Sequence, residues 1–214
     1  MPRILQPELL DSLPPDHPDA LHNRRDLQRI NGLMGNYRWF ARTLPPLLRP
    51  HEIALELGAG TGELGLSLAH RGIAVDALDL WPTPRTWAAD RRWHRADLQD
   101  FAGYGDYPVF IGNLIFHQFS DDNLGSLGTK LRASARVILA CEPLRRPLSQ
   151  TIYRLCGPLL GANHVSLHDA HVSIAAGFCD QELPRALGLT VADWDVRCST
   201  TALGAYRMIA VRRS

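Results

Sequence analysis

The rhythm of apolar positions changes near residue 50. Between Asp19 and Leu48, the residues Leu21, Leu27, Ile30, Leu33, Met34, Phe40 and Leu44 recur mostly at intervals of three, four, six or seven, the period of an amphipathic helix. The spacing predicts two helices, or one helix kinked near Asn31-Gly32 or Gly35-Asn36. Upstream, Pro2, Pro7, Pro14, Pro15 and Pro18 break regular structure and predict an irregular arm. From Ile53 onward, short apolar runs alternate with helical segments, as in a parallel sheet with crossover helices. Strands are expected at 53–57, 73–78, 93–98, 109–115 and 137–141, with helices at 62–70 and 121–134. Two closing β-like runs, 191–198 and 205–211, are joined by a link containing Gly204 that is too short for a parallel crossover, so they should pair antiparallel. Between them and the fifth strand, residues 142–190 lose the alternation and contain Pro143, Pro147, Gly157, Pro158 and Gly161. The chain therefore reads as an arm and helical lid over 1–50 and an α/β domain over 51–214, with 142–190 as a cap insertion over the mouth of a site.

Composition narrows the picture. A chain of 214 residues falls within the range of a single hydrophobic core, and 45% hydrophobic with 21% charged residues is ordinary for a globular protein. Lys+Arg 23 against Asp+Glu 22 leaves a formal charge of +1, which supplies no field to gather DNA or RNA. The four cysteines, Cys141, Cys156, Cys179 and Cys198, form no Cys-x-x-Cys pair, so neither a zinc knuckle nor a redox dithiol is expected. No stretch approaches the roughly 20 apolar residues that span a bilayer, and no basic segment leads into an apolar run at the N-terminus. A cytoplasmic protein with no membrane partner is the expectation. No heptad indicates an oligomeric interface.

Candidate chemistry centres on Gly58, Gly60 and Gly62, directly after the first strand. Glycines there let the backbone turn tightly and approach a ligand, while the following helix aims free N–H groups at it. This much implies a nucleotide-like cofactor. Gly60-Thr61-Gly62-Glu63-Leu64-Gly65 also satisfies the dinucleotide pattern Gly-x-Gly-x-x-Gly. Asp79, seventeen positions beyond Gly62, ends the second strand where a carboxylate can accept hydrogen bonds from ribose hydroxyls, a device dinucleotide enzymes share. Glu56 separates the alternatives. A carboxylate just before the first glycine would repel a pyrophosphate and suits a cationic ligand.

The run Glu56-Leu57-Gly58-Ala59-Gly60-Thr61-Gly62 resembles the first motif of the class I S-adenosylmethionine-dependent methyltransferases, and further motifs follow in order. Ala77-Leu78-Asp79 resembles the second, Ala96-Asp97-Leu98 the third, and Val109 to Asn113 followed by His117 and Phe119 the fourth; Val137 to Pro143, with Glu142, fits the next strand. The resemblance implies a Rossmann-like, doubly wound seven-stranded sheet of order 3-2-1-4-5-7-6 with its last strand antiparallel. It implies S-adenosyl-L-methionine as cofactor and S-adenosyl-L-homocysteine as product. Glu56 would hold the methionine portion, Gly58, Ala59, Gly60 and Gly62 the turn, Asp79 with Leu80 the ribose region, Asp97 with Leu98 the adenine, and Asn113 the methyl end. Asp90, Asp100 and Asp106 are nearby alternatives to Asp97. Asn23 to Asp26 and Asn31 to Gly35 also resemble bacterial methyltransferases of secondary-metabolite and polyketide pathways, implying a phenolic or polyketide hydroxyl as acceptor.

Methyl transfer to a hydroxyl needs the nucleophile held in line and a proton acceptor near neutral pH. His117, at the end of the fourth strand, is the candidate catalytic base, with a helix-packing role as its structural alternative. Tyr37, Trp39 and Phe40 are candidate walls of an acceptor pocket. His164, His168 and His171, spaced by four and three, would share a helical face, and His164 or His168 could contact substrate. Val165, Leu167, Val172 and Ile174 also alternate like a strand, which would scatter the imidazoles; no metal is expected. Arg24, Arg25, Arg29, Arg38, Arg42 and Arg49 read first as a solvated helix face. Trp81, Trp87, Trp93 and Trp194 follow no single face and read as packing or pocket-edge residues. Two other functions remain open at this level: an NAD-dependent oxidoreductase, which would lack a Tyr-x-x-x-Lys pair in a chain whose one lysine is Lys130, and a non-catalytic cofactor-binding protein.

Overall fold

Alternation along the fifth strand decides which layers cover the sheet. In the computed structural model, which describes residues 2–14 and 16–213 (Leu160 by its backbone alone), Val137, Leu139 and Cys141 point to one face and Ile138 and Ala140 to the other. Both faces are buried, so the parallel strands are apolar at nearly every position. The strands are β1 (Ala54–Leu57), β2 (Val75–Asp79), β3 (Trp93–Arg95), β4 (Val109–Asn113), β5 (Val137–Pro143), β6 (Trp194–Thr200) and β7 (Ala205–Arg212). Their order is β3-β2-β1-β4-β5-β7-β6; β1 to β5 run parallel, and β7 pairs antiparallel with both β5 and β6. This is the expected topology. The expected break at Pro15 lies outside the described residues.

Boundaries differ where tertiary bonds intervene. β4 stops at Asn113 because Leu114 turns into the left-handed region at φ 59, with its N–H bonded to Cys141 O at 2.8 Å. Such a conformation is costly for a branched side chain and persists only where its surroundings impose it. β5 instead continues through Glu142 and Pro143, which pair with Tyr206 and Ala205.

Helices α1 (Pro18–Met34) and α2 (Asn36–Thr43) meet at Gly35, whose φ of 67 ends α1, so the kink falls at the second of the two expected places. α2 lays Phe40 and Leu44 on one sheet face beside Leu64 and Leu68 of α3 (Glu63–Ala69). α4 (Asp121–Ser134) covers the other face with Leu124, Leu127 and Leu131. The stretch 142–190 is not one irregular cap. It supplies the end of β5, then α5 (Pro147–Cys156), α6 (His164–Ala176) and α7 (Glu182–Ala186), and Leu183 and Leu187 at α7 join the sheet core. The segment of uncertain period is helix α6, opened by Asn163, whose Oδ1 accepts the Ser166 N–H at 2.8 Å.

α1 inverts the expected arrangement. Leu21, Leu27 and Leu33 are 47%, 38% and 64% exposed, whereas Asn23, Asp26 and Asn31 are buried. The cause is its position between α6 and the carboxyl edge of the sheet: Asn23 Nδ2 donates to Asp169 Oδ2 at 3.1 Å, the Ser166 hydroxyl to Asp26 Oδ2 at 2.7 Å, and Asn113 Nδ2 to Asn31 Oδ1 at 3.0 Å. Polar groups at that edge need polar partners. No helix among the described residues is long and apolar enough to cross a membrane.

Close packing between α4 and α7 makes one position sensitive. A Cβ on Gly128 would stand 2.3 Å from the Leu187 carbonyl oxygen, a backbone atom with little freedom to retreat. Gly128→Ala should destabilise the fold by about 1–3 kcal/mol, read as a lower urea midpoint at unchanged slope.

Candidate cofactor and acceptor site

Beyond β1 the chain turns through Gly58, Gly60 and Gly62 at φ 64, 59 and 81. A Cβ on Gly60 would project into open space, so this glycine leaves room for a ligand as well as allowing the left-handed turn. Asp79 holds the turn: its Oδ2 accepts the Gly60 N–H at 2.7 Å and its Oδ1 the Trp81 N–H at 2.8 Å. Burial lifts its carboxyl above the ordinary range, against these bonds. The role expected of Asp79 as a ribose partner therefore coexists with a structural one, each oxygen keeping a lone pair. Ala59 is buried with its N–H directed to Leu78 O at 3.3 Å.

Glu56 lies inside the cup beneath this turn. It is 3% exposed, and its Oε2 has no hydrogen-bond partner. Burial pushes its carboxyl up to about 8, with the Gly65 N–H opposing and Glu63 and Asp79 adding to the rise. Of the buried side-chain atoms left without a partner among the described residues, this is the one that can carry negative charge, which makes it a place for a cation. Burial, then Glu63 and Glu56, raise the Tyr37 phenol, so this side chain stands on the Glu56 side of the site. Trp87 carries no spacing signal that ties it to the glycines, yet its ring covers the turn, and a Cβ on Gly65 would meet it at 2.5 Å and Glu56 Oε2 at 3.1 Å. The third glycine of the dinucleotide-like pattern is thus required by Trp87 and Glu56.

Along the carboxyl edge, Asp97 follows β3 beside Asp79, since the Ala96 N–H donates to Asp79 O at 3.1 Å, and its Oδ1 accepts the Gln99 N–H at 2.7 Å. Leu98 is a core residue, while Leu80 is 60% exposed. Asn113 joins an amide cluster with the lid: Asn36 Nδ2 donates to Asn31 Oδ1 at 2.9 Å and to Asn113 Oδ1 at 3.3 Å. Asn36 is fully buried with its own Oδ1 unpartnered. Arg24 lies 4.7 Å over the Trp81 ring, whereas Arg25, Arg29, Arg38, Arg42 and Arg49 are not buried.

His117 is 4% exposed on the short turn after β4. Its Nδ1 lies 2.7 Å from Glu142 Oε2 and its Nε2 3.3 Å from Glu8 Oε1. Burial opposes the charged imidazole, but the bonds to Glu142 and Glu8 outweigh it and raise the group to about 9. Both ring nitrogens are engaged, so in this arrangement no lone pair is free to take a proton. Glu142 also accepts the N–H groups of Ile115, Phe116 and His117 at 3.0, 2.9 and 3.2 Å. Neither Glu8 nor the orienting role of Glu142 is legible from spacing; Glu8 is 109 positions from His117. His164, His168 and His171 do share a face of α6, and that face is exposed, with His168 near enough to Glu8 to help lower its carboxyl. His168 contacts Asp169 at 3.1 Å, and no group of three or more metal-ligating side chains occurs among the described residues.

The sheet order, the closing hairpin and the glycine turn at the carboxyl edge together define the class I methyltransferase fold. No protein-family model matches the sequence, and no curated protein matches it. Among solved structures, the chain is similar to the plantazolicin methyltransferase BpumL in complex with SAH, with a TM-score of 0.72 at 11% identity over 96% of this chain and 93% of that one. It is also similar to the pyocyanin biosynthetic protein PhzM, with a TM-score of 0.59 at 17% identity over 92% of this chain and 60% of that one. Magnesium protoporphyrin IX methyltransferase ChlM from Synechocystis PCC 6803 with bound SAH gives 0.53 at 14% identity over 98% and 89%. These likenesses establish the fold.

Two buried groups make stability fall as pH rises. Glu56, raised to about 8, holds a proton in the folded chain that the unfolded chain has released above its ordinary value of 4.5. His117, raised to about 9, contributes stability that is complete below 6.5 and lost as pH passes about 9. Urea titrations from pH 5 to 9 should show declining stability. Glu56→Gln should flatten the lower part of that decline and His117→Gln the upper; unchanged slopes would contradict these assignments.

Proposed function

We propose that the protein transfers a methyl group from S-adenosylmethionine to an oxygen of a small-molecule acceptor, of phenolic or polyketide type. The observation that carries this reading is the buried, unpartnered carboxylate of Glu56 beneath a glycine turn with open space above Gly60. A pyrophosphate would be repelled there, whereas the ammonium group of the methyl donor would satisfy Glu56 Oε2 and favour its charged form. The donor, when bound, supplies an electrophilic methyl carbon on a sulfonium centre.

The chain's own residues supply position and electrostatics. Asp79 shapes the turn and offers its remaining lone pairs to ribose hydroxyls, and Asp97 flanks the adenine end. Asn113, held by Asn31 and Asn36, orients an amide at the methyl end, and the lid helix excludes water. Glu142 fixes the His117 ring through Nδ1, leaving Nε2 as the atom that can meet an acceptor oxygen and its proton once Glu8 withdraws. His164 and His168 belong to this reading only as residues of an outer entrance, given their exposure. The likeness to methyltransferases of small molecules supports an acceptor of modest size.

Calorimetric titration tests the cofactor. Micromolar affinity for S-adenosylmethionine and S-adenosylhomocysteine, with none for NAD, is expected; NAD binding alone would sink the proposal. Glu56→Gln should weaken S-adenosylmethionine at least tenfold and abolish the rise in affinity through about pH 8. With a tritiated methyl donor and a panel of phenols, His117→Ala should lower turnover by roughly 10²–10⁴-fold, the range of a proton-handling group; unchanged turnover removes His117 from the chemistry.

A further inference from the structure

The two carboxylates that hold His117 are not held alike. Glu142 has no exposure and accepts three backbone N–H groups besides the imidazole, so it belongs to the frame. Glu8 is held by the imidazole and the Ser173 hydroxyl, on an arm in which no residue from 2 to 14 is buried. Of the arm's apolar side chains, Ile4, Leu5 and Leu9 are 45%, 41% and 36% exposed, and Leu10 and Leu13 are half-buried. It is held at one end by Arg3, which donates to the carbonyls of His117, Phe119 and Ala176 and pairs with Asp121 at 2.7 Å. The other end is fastened where α1 begins. Between these anchors the described contacts to the body are polar: Glu8 to His117 and Ser173, and the N–H groups of Leu9 and Leu10 to Asp169 at 2.7 and 3.1 Å. Water or a ligand can replace such bonds, whereas full apolar burial would have fixed the segment more firmly.

The charges favour Glu8 in this place, since His117, Ser173 and His168 hold its carboxyl below its ordinary range against burial, but they oppose Asp11. The segment brings Glu8 and Asp11 towards Asp169, and burial together with those two carboxylates pushes the Asp11 carboxyl up from its ordinary range. In the closed form His117 Nε2 is sealed from solvent, and Glu8 occupies its outer side. Anything that reaches Nε2 must take Glu8's place. A replacement carrying no charge would leave the imidazolium with one carboxylate in place of two, in a site shielded from water.

We propose that residues 5–13 form a strap that opens over the acceptor site, and that the Glu8 carboxylate occupies the place which an ionised acceptor oxygen takes on His117. This deepens the methyltransferase reading and rests on it. The acceptor class is then one whose oxygen ionises at or below neutral pH, so that His117 can take its proton and hold the anion that results: a carboxylic acid, an enol flanked by carbonyls or an electron-poor phenol. A neutral alcohol or an amine would not replace Glu8.

The test uses the full-length protein with benzoate as probe and benzamide as its uncharged counterpart, in the presence of S-adenosylhomocysteine. Benzoate should bind Glu8→Ala at least tenfold more tightly than the wild type, while benzamide binds both alike. Ser173→Ala, which removes the other bond to Glu8, should give a smaller gain, and Glu8→Ala combined with His117→Gln should lose it. In the wild type, saturating benzoate should speed deuterium exchange at the Leu9 and Leu10 amides at least tenfold. Equal benzoate affinity in wild type and Glu8→Ala, equal gains for benzamide, or no benzoate binding to either would overturn the proposal. S-adenosylhomocysteine affinity, read separately for each variant, tests the cofactor reading: its absence alongside a benzoate gain would remove the cofactor and leave the anion site, and its presence without a gain would do the reverse.

Discussion

A carboxylate buried without solvent is tolerated where donors replace its water, and at Glu142 four of them converge. Three are consecutive backbone N–H groups of the turn that leaves β4, and the fourth is the His117 imidazole. That one side chain therefore ties the end of β5 to the exit of β4 and forces the turn close enough for Leu114 to adopt its left-handed conformation. The direction of the His117 ring, the early end of β4 and the place where Arg3 docks on His117 O and Phe119 O all depend on it.

Glu56 is its counterpart at the centre of the same edge. Both are buried acids at the carboxyl ends of parallel strands, the rim at which open α/β sheets receive ligands. One is saturated with donors and acts as framework, whereas the other keeps a bare oxygen. Their difference comes from the turns at the strand ends: three consecutive N–H groups fold back onto Glu142, while the glycine turn after β1 spends its Gly60 N–H on Asp79. Helix α1 turns its asparagines inward, Asn23 to Asp169 of α6 and Asn31 to Asn113 on this rim, and its leucines outward.

Much of the scaffold was legible in the sequence because local pattern and global packing agree there. Apolar runs of four to seven residues mark strands buried on both faces, and the brief link at Gly204 forces the closing pair antiparallel. The glycine turn was legible for a related reason: Glu56, the glycines and Asp79 are placed by backbone geometry that is local to two strand ends. The acceptor side was not. His117 is visible as a titratable residue in a suitable place, but its partners Glu8 and Glu142 lie 109 and 25 positions away and carry no spacing signal. The histidines of α6 were misleading in the opposite sense, since a shared helical face says nothing of whether that face looks inward.

The sequence by itself determined the strands, the closing hairpin, the glycine turn and the acidic residues around it, because each follows from residue type over short range; the strand order was implied only by the family those motifs resemble. Only the tertiary structure decided which side of α1 is buried, where β4 ends, and that an arm carboxylate stands against His117. Those outcomes depend on how distant polar groups satisfy one another inside the fold, and hydrogen-bond partners brought together by folding leave no periodicity in the chain.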